Sequence, residues 1–419
     1  MPLLAPILAQ LITLNLGARN EALYIAPTSN HYLDDSRALV ALRFGWQHSQ
    51  LTLTYTPSLI LANLGSPPIE RLLSHTVGIS SSTEISRAIV TVSEVAVYGQ
   101  VDPTISALSG GQLDPTNSQL QNGGGSGAGA GGGSGPGSTG TAPGTGAGAG
   151  SGPGAAQPLV LSRVLRVESS TTTAALAYQF SLADTAGVSA LYSIGGGADA
   201  SSRTVSPVFE SVRLGVSWQK LFTPADTVTS VLASTYGWSA DGTSALITGV
   251  TELWMHAFSA MTSGRLGAGV AVTRGTPVDG ASQNSVYPTI DAALAHSEPL
   301  ARGMLAMSVG ASTAPVIDPI SGAIDPRLGF TGALGWSKEK FAIGAFGTAS
   351  VSVAGAGNQG AQDFAGAELR TSYQLTPVLS VDGGLRGAWQ VFQSQTVVPP
   401  SYAIFVGVSV GGSVHVSGH

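Results

Sequence analysis

The residues best equipped for chemistry are few and scattered. Seven histidines are present and none stands in an HExxH arrangement, so the helical zinc-ligand pair of a metalloprotease is not encoded. His256 and Glu252 alternate with Trp254 and would share one face of a strand, while His75 adjoins Ser74. Two polar residues at alternating spacing make neither a triad nor a metal site, which need several groups converging on one atom. The runs Gly123 to Ser126 and Ala128 to Gly133 imitate phosphate-cradling loops. They lack the Lys-Ser/Thr of a P-loop and are not held between a strand and a helix. Cysteine is absent, which removes disulfides, thiolate chemistry and Cys-based metal sites. The sequence therefore calls for no catalytic residue, no cofactor and no metal; a lipid-processing enzyme built on His256 and Glu252 is the least favoured reading.

What remains is a set of arginines and carboxylates, and the elements that carry them are unusually legible. From Ala365 the residues Ala365, Ala367, Leu369, Thr371, Tyr373 and Leu375 alternate with Gly366, Glu368, Arg370, Ser372 and Gln374. After Thr376-Pro377 the pattern resumes, with Leu379, Val381, Leu385, Trp389 and Val391 on one side and Ser380, Asp382, Arg386 and Gln390 on the other. Side chains alternate across a strand, so this is a hairpin with one apolar and one polar face. Strands of soluble sandwiches commonly run about five or six residues, whereas roughly 9 to 11 are needed to cross a bilayer at a tilt. The length predicts a membrane barrel.

Composition agrees. Of 419 residues 43% are hydrophobic but only 10% charged, against about 25% charged in an ordinary soluble domain. Mean hydropathy is +0.25, yet no window reaches the roughly 18 uninterrupted apolar residues of a membrane helix. Apolar content without an apolar run is what a spanning barrel requires, because half of each strand faces lipid. A formal charge of −6 without a basic run gives no basis for nucleic-acid binding.

Similar periodicity recurs along most of the chain and predicts an all-β fold: a transmembrane, antiparallel, up-and-down β-barrel of about 18 strands. The expected organisation is 1–10 as a signal-peptide remnant or lead-in, 11–98 as the first strands, 99–169 as a Gly/Ser/Ala-rich external loop, and 170–419 as the remaining strands. The first strand is expected over Leu11 to Ala18, followed by a polar loop from Arg19 to Ser36. Pro57 removes a ladder donor, so a bulge or strand end is expected near it. The low-complexity segment cannot bury enough apolar surface to offset its ordering entropy. Leu159 to Ser169 suits either a short helix or an extension of the sixth strand. Tight connections alternate with long ones almost throughout, the connection at Ala240 to Ser244 being the exception. Bacterial barrels have short periplasmic turns and long external loops, so the alternation also predicts sidedness.

These face assignments put Arg43, Arg213, Arg265, Asp291, Arg327, Glu368, Arg370, Asp382 and Arg386 in the lumen, among Gly, Ser, Thr and Ala. Such rings of arginine favour anions or hydroxyl-rich solutes; alternatively, the charges pair along the wall and hold it rigid. Phe44, Trp46, Tyr55, Tyr178, Trp218, Trp238, Trp254, Trp336, Tyr373, Trp389 and Tyr402 fall in the outward register, where aromatic rings prefer the headgroup level. A sugar-stacking track would need such rings inside.

Three stretches, Leu53-Thr54-Tyr55-Thr56-Pro57, Ser93-Glu94-Val95-Ala96-Val97-Tyr98-Gly99 and Gly195-Gly196-Gly197, resemble outer-membrane β-barrel proteins of myxobacterial type, a family with no settled activity. More loosely the chain is similar to porins and to the barrels of polysaccharide export. The resemblance implies an integral place in the bacterial outer membrane and a passive channel for polar solutes or a secreted polysaccharide. It also implies the lipid bilayer and periplasmic polysaccharide-export components as partners. The alternative is a membrane anchor that displays its external loops for binding.

Overall fold

A computed structural model of the chain describes residues 11–26, 31–63, 70–101, 165–203, 207–276, 282–300, 303–317, 324–353, 362–392 and 397–417. The expected lead-in, 1–10, and most of the low-complexity segment, 102–164, lie outside the described residues. The strands are β1 (Leu11–Ala26), β2 (His31–Gly45), β3 (Ser49–Asn63), β4 (Glu70–Ile85), β5 (Ala88–Val101), β6 (Leu165–Gln179), β7 (Asp184–Gly197), β8 (Phe209–Thr223) and β9 (Asp226–Ser239). They continue as β10 (Ser244–Ala257), β11 (Thr262–Thr276), β12 (Gln283–Leu300), β13 (Gly303–Ile317), β14 (Ile324–Lys338), β15 (Phe341–Ser352), β16 (Gln362–Thr376), β17 (Leu379–Phe392) and β18 (Val397–Ser417). Among the described residues one helical turn, α1 (Ala200–Arg203), interrupts them.

Each strand pairs antiparallel with the next, and β18 returns to β1 from Leu11↔Ser417 to Ala26↔Tyr402. The 18-stranded sheet is thus closed, and closure leaves no edge for another chain to extend. Connections at one end are 46–48, 86–87, 180–183, 224–225, 258–261, 301–302, 339–340 and 377–378, none longer than four residues. The other end carries the longer ones, among them 102–164, with 27–30, 240–243 and 393–396 as short exceptions. The first end is the periplasmic one by the rule for bacterial barrels.

One expected boundary was wrong. Arg19 to Ser36 is not a loop: β1 runs on to Ala26 and β2 begins at His31, so only 27–30 connect them. Polar residues in that stretch read locally as solvent-facing, but Asp35 has a partner on the neighbouring β3, and Arg19 and Glu21 have partners on β17, which closure alone brings near. At the low-complexity segment, β5 extends to Val101 and β6 starts at Leu165, so 165–169 is strand. Near Pro57 the β2–β3 ladder passes from Arg37↔Ser58 to Val40↔Tyr55 without a change of register. The missing donor costs rungs of the ladder rather than the strand.

The α1 turn clamps the point where β6 begins. Asp199 accepts from the Ser202 N–H at 2.8 Å, Ser202 Oγ accepts from the Arg166 N–H at 3.0 Å, and Arg203 Nε donates to Gly197 O at 2.9 Å. The bond from the Ser202 N–H, with a second from Ser201 Oγ at 2.8 Å, holds the Asp199 carboxyl below the usual carboxylate range.

The concave side of the sheet is fixed by contacts between strands that are not neighbours. Arg386 on β17 bonds Glu21 on β1, and Arg19 on β1 donates to Asp382 Oδ2 on β17 at 3.0 Å, both reaching across β18. Only the inside of a closed sheet allows such approaches, and paired residues share a face, so the ladders assign every strand from these anchors. The alternation is sharp on β18: Ser401, Ala403 and Phe405 are buried and inward, while Tyr402, Ile404, Val406 and Val408 are exposed and outward. The outer surface is a continuous apolar band of Val, Leu, Ile and aromatic side chains. Soluble proteins rarely expose so large an apolar surface, and one this size marks contact with a membrane.

Candidate functional site: the barrel interior

The ladders place Arg43, Arg213, Arg265, Asp291, Arg327, Glu368, Arg370, Asp382 and Arg386 all on the inner face. They do not form one ring. Four of them meet on a single wall, joined by residues from the mis-assigned loop, and the others stand apart in pairs or among small residues.

The charged wall spans β16, β17, β18, β1 and β2. Arg386 Nε donates to Glu368 Oε2 at 3.0 Å, its Nη1 bonds Glu21 Oε1, and its guanidinium lies 4.0 Å over the Phe405 ring. Glu21 also bonds Arg19, whose Nη2 donates to Asp382 Oδ2 at 3.0 Å. Arg370 Nη2 reaches the same oxygen at 3.1 Å. On β2, Arg37 grips Asp35 with contacts of 2.6 to 3.1 Å, and Ser58 Oγ adds another at 3.3 Å. Four arginines (19, 37, 370, 386) thus face four carboxylates (21, 35, 368, 382). The core of this network is dry, with Glu21, Asp35 and Asp382 at 2 to 3% exposure. Beside it Leu23, Leu33, Leu72, Ala403 and Phe405 form a buried apolar cluster on the same face. Charges taken out of water are tolerated only when paired and hydrogen-bonded, and the network supplies that pairing across the seam where the first and last strands meet.

The opposite wall, β5 to β14, carries few charges. Its inner face holds Ser93 and Thr173 in hydrogen bond at 2.5 Å, Ser193 and Ser211 at 2.7 Å, and Gly215, Ala233, Gly249 and Gly269 among them. Arg213 stands there between Leu191 and Thr235. Arg265 grips Asp291 with Nη2 at 3.0 Å, and Arg327 binds Asp325 at 2.9 Å and Ser350 Oγ at 2.7 Å near the external end. Arg43, near the periplasmic end, bonds Gln50.

Sequence reasoning missed Arg19, Glu21, Asp35, Arg37 and Asp325. A signal was present: Arg19/Glu21, Asp35/Arg37 and Asp325/Arg327 are each opposite charges two residues apart, the spacing that puts them on one face of a strand.

The aromatic set stands on the outer face. Phe44, Tyr178, Trp218, Trp254, Trp336 and Tyr373 lie toward the periplasmic ends of their strands, with Trp46 in the adjoining turn; Trp238, Trp389 and Tyr402 lie toward the external end. Tyr55 is nearer mid-strand and its hydroxyl meets His75 Nδ1 at 2.9 Å. His256 Nδ1 meets Asp226 Oδ1 at 2.7 Å, the same oxygen takes Trp254 Nε1 at 3.1 Å, and Glu252 accepts from Ser230 Oγ at 2.8 Å. His256 and Glu252 therefore bond different partners, and Ser74 faces inward while His75 faces out. Among the described residues no group of three His, Cys, Asp or Glu is placed to hold a metal ion.

A closed barrel with an apolar exterior and a polar interior defines an integral outer-membrane β-barrel protein. Residues 128–415 match the model of the EpsX exopolysaccharide export family, and the chain belongs to that family. No curated protein matched it. Among solved structures it is similar to Pseudomonas aeruginosa OpdK with vanillate, at 10% identity over 96% of this chain and 99% of that one, with a TM-score of 0.45. Pseudomonas aeruginosa OccK11 (OpdR) gives 10% identity, 96% of each chain and 0.44. The FrpB iron transporter of Neisseria meningitidis (F3-3 variant) gives 11%, 90% of this chain, 62% of that one and 0.47.

Proposed function

We propose that the barrel is the outer-membrane conduit for a secreted polysaccharide, which passes through the lumen passively. The observation that carries this reading is the character of the inner face. Hydroxyl-bearing and very small side chains cover most of it, and the charges of its one polar wall pair off. A sugar chain exchanges its hydrogen bonds to water for bonds to such a surface at little net cost, and nothing there binds it tightly enough to arrest it. Membership of an exopolysaccharide export family supports the choice of polymer over small solute. On this reading the short turns face periplasmic export components, and the two sets of outward aromatic rings sit at the headgroup level. The arginines and carboxylates of the inner face act as wall struts and as local hydrogen-bonding posts.

Proteoliposomes loaded with labelled neutral oligosaccharides of graded length test the conduit. Release of chains several sugars long, with retention in protein-free vesicles, is the expected result. Retention of every length while the protein is inserted and folded would overturn it.

A further inference from the structure

The inner face presents an aromatic ring where no packing requires one. Phe346 on β15 is inward and 48% exposed. The other inward aromatic rings among the described side chains, Phe209, Tyr287 and Phe405, are half-buried or buried. Its cross-strand neighbours are Ala333 on β14 and Glu368 on β16, and side chains directly opposite one another stand about 4.5–5.5 Å apart at Cβ. One step toward the periplasm, Gly344 pairs with Gly335 on one side and Arg370 on the other. A Cβ at Gly344 would meet only Leu334 O, at 3.5 Å. The ring thus rises from a floor of small residues, with a carboxylate and a guanidinium at its flank. Both retain access to the lumen, Glu368 at 27% and Arg370 at 40% side-chain exposure.

We infer that Phe346, Glu368 and Arg370 form a saccharide subsite at mid-wall, where the apolar face of a pyranose ring stacks on Phe346 and its hydroxyls bond the two charged flanks. This rests on the conduit reading and adds the point at which the polymer touches the wall. The chemistry fits in three ways. A sugar ring has one face of C–H groups, which an exposed aromatic ring covers well. Glu368 gives Oε2 to Arg386, and its second oxygen accepts from a hydroxyl; Arg370 holds Asp382 with one nitrogen and has further N–H donors. Because the four arginines and four carboxylates of this wall balance, the subsite carries no excess charge. A neutral or weakly charged sugar is therefore preferred over a polyanion.

The test uses the full-length barrel in a planar bilayer, with maltohexaose as the neutral probe and a galacturonate hexamer as the anionic one. Wild type is expected to show a steady current with brief blockades by maltohexaose. Phe346→Ala is expected to leave the open-channel current within a quarter of wild type and shorten the blockades about tenfold, with Phe346→Trp restoring or lengthening them. Unchanged blockades in Phe346→Ala, or none in a conducting wild type, would overturn the subsite and leave the conduit standing. Longer blockades by galacturonate would overturn the neutral preference. A barrel that never conducts would overturn the conduit, and calorimetry of the detergent-solubilised protein with maltohexaose then decides the subsite by itself: heat lost in Phe346→Ala supports it, and no heat in wild type refutes it.

Discussion

The two walls of the lumen are built from the same strand alternation and solve opposite problems. Outside, both present the same apolar band. Inside, β16 to β18 with β1 and β2 carry a six-residue ion network and, beside it, the Arg37–Asp35 pair, whereas β5 to β14 present mainly glycine, alanine, serine and threonine. The charged wall includes the seam at which the first strand meets the last. A pairing between β1 and β18 cannot form until the whole barrel is assembled, and Arg386 to Glu21 joins residues 365 apart in sequence. Buried ion pairs are poor sources of net stability but strong selectors of one arrangement, which is what a seam needs. The small wall has no such closure to specify and leaves space.

The sharpest way to break this contrast is Arg386→Ala. It leaves the buried Glu21 with Arg19 alone and takes the arginine from Glu368, and loss of one partner from a buried pair costs about 3–5 kcal/mol. The folded band in unheated gels is expected to convert to the unfolded position at a clearly lower temperature than wild type. Removing a hydroxyl from the other wall, as in Thr235→Ala, should change that temperature little, with a cost of about 0.5 kcal/mol or less. Equal losses from the two substitutions would contradict the division of labour.

Next in size is Ser189→Lys on the small wall, whose paired neighbours are Ala175 and Gly215. An unbalanced charge there is expected to shift reversal potential toward anions by about twofold in permeability ratio, with the gel transition unmoved. A charge-reversal on the other wall, Arg370→Glu, would disturb both readouts because Arg370 already serves Asp382.

The smallest effect lies outside the lumen, at the α1 clamp. Asp199 has its carboxyl pulled below the usual range by hydrogen bonds from Ser202 and Ser201. A depressed folded pKa means that its contribution is fully present above the unfolded value, about 3.9, and is lost as pH falls through the folded one. Amide protection of Ser202 and Arg203, measured by hydrogen exchange, is expected to hold at pH 6 and fall at more acid pH. Asp199→Asn should remove the pH dependence. Protection that rises on acidification would reverse the sign.

Much of this was legible from local spacing. A period of two in the hairpin from 365 to 391 is a property of neighbouring residues, and so was the count of eighteen strands. The inward placing of Glu368, Arg370, Asp382 and Arg386 could be read the same way, because their apolar neighbours set the register. What sequence spacing did not reveal was partnership. Arg19, Glu21 and Asp35 read as a loop because charges set around Pro27 and Asn30 look solvated until closure supplies Arg386 and Asp382 to the first two and the β2–β3 ladder brings Ser58 to the third. Phe346 was passed over for a related reason: Phe341, Ile343 and Phe346 do not keep one parity, and only the ladder to Glu368 shows that the last of them turns inward.

The account depends on water on one side of each strand and lipid on the other, and a chain without cysteine lends itself to a direct test. On β9, Ala233 faces in and Leu232, 49% exposed, faces out. Each is replaced singly by cysteine, and a membrane-impermeant anionic thiol reagent is applied to the barrel in a planar bilayer. Ala233→Cys is expected to react within minutes with a stepwise fall in current, and Leu232→Cys to remain unmodified. Rapid modification of Leu232→Cys with an inert Ala233→Cys would contradict the inside and outside assigned to every strand.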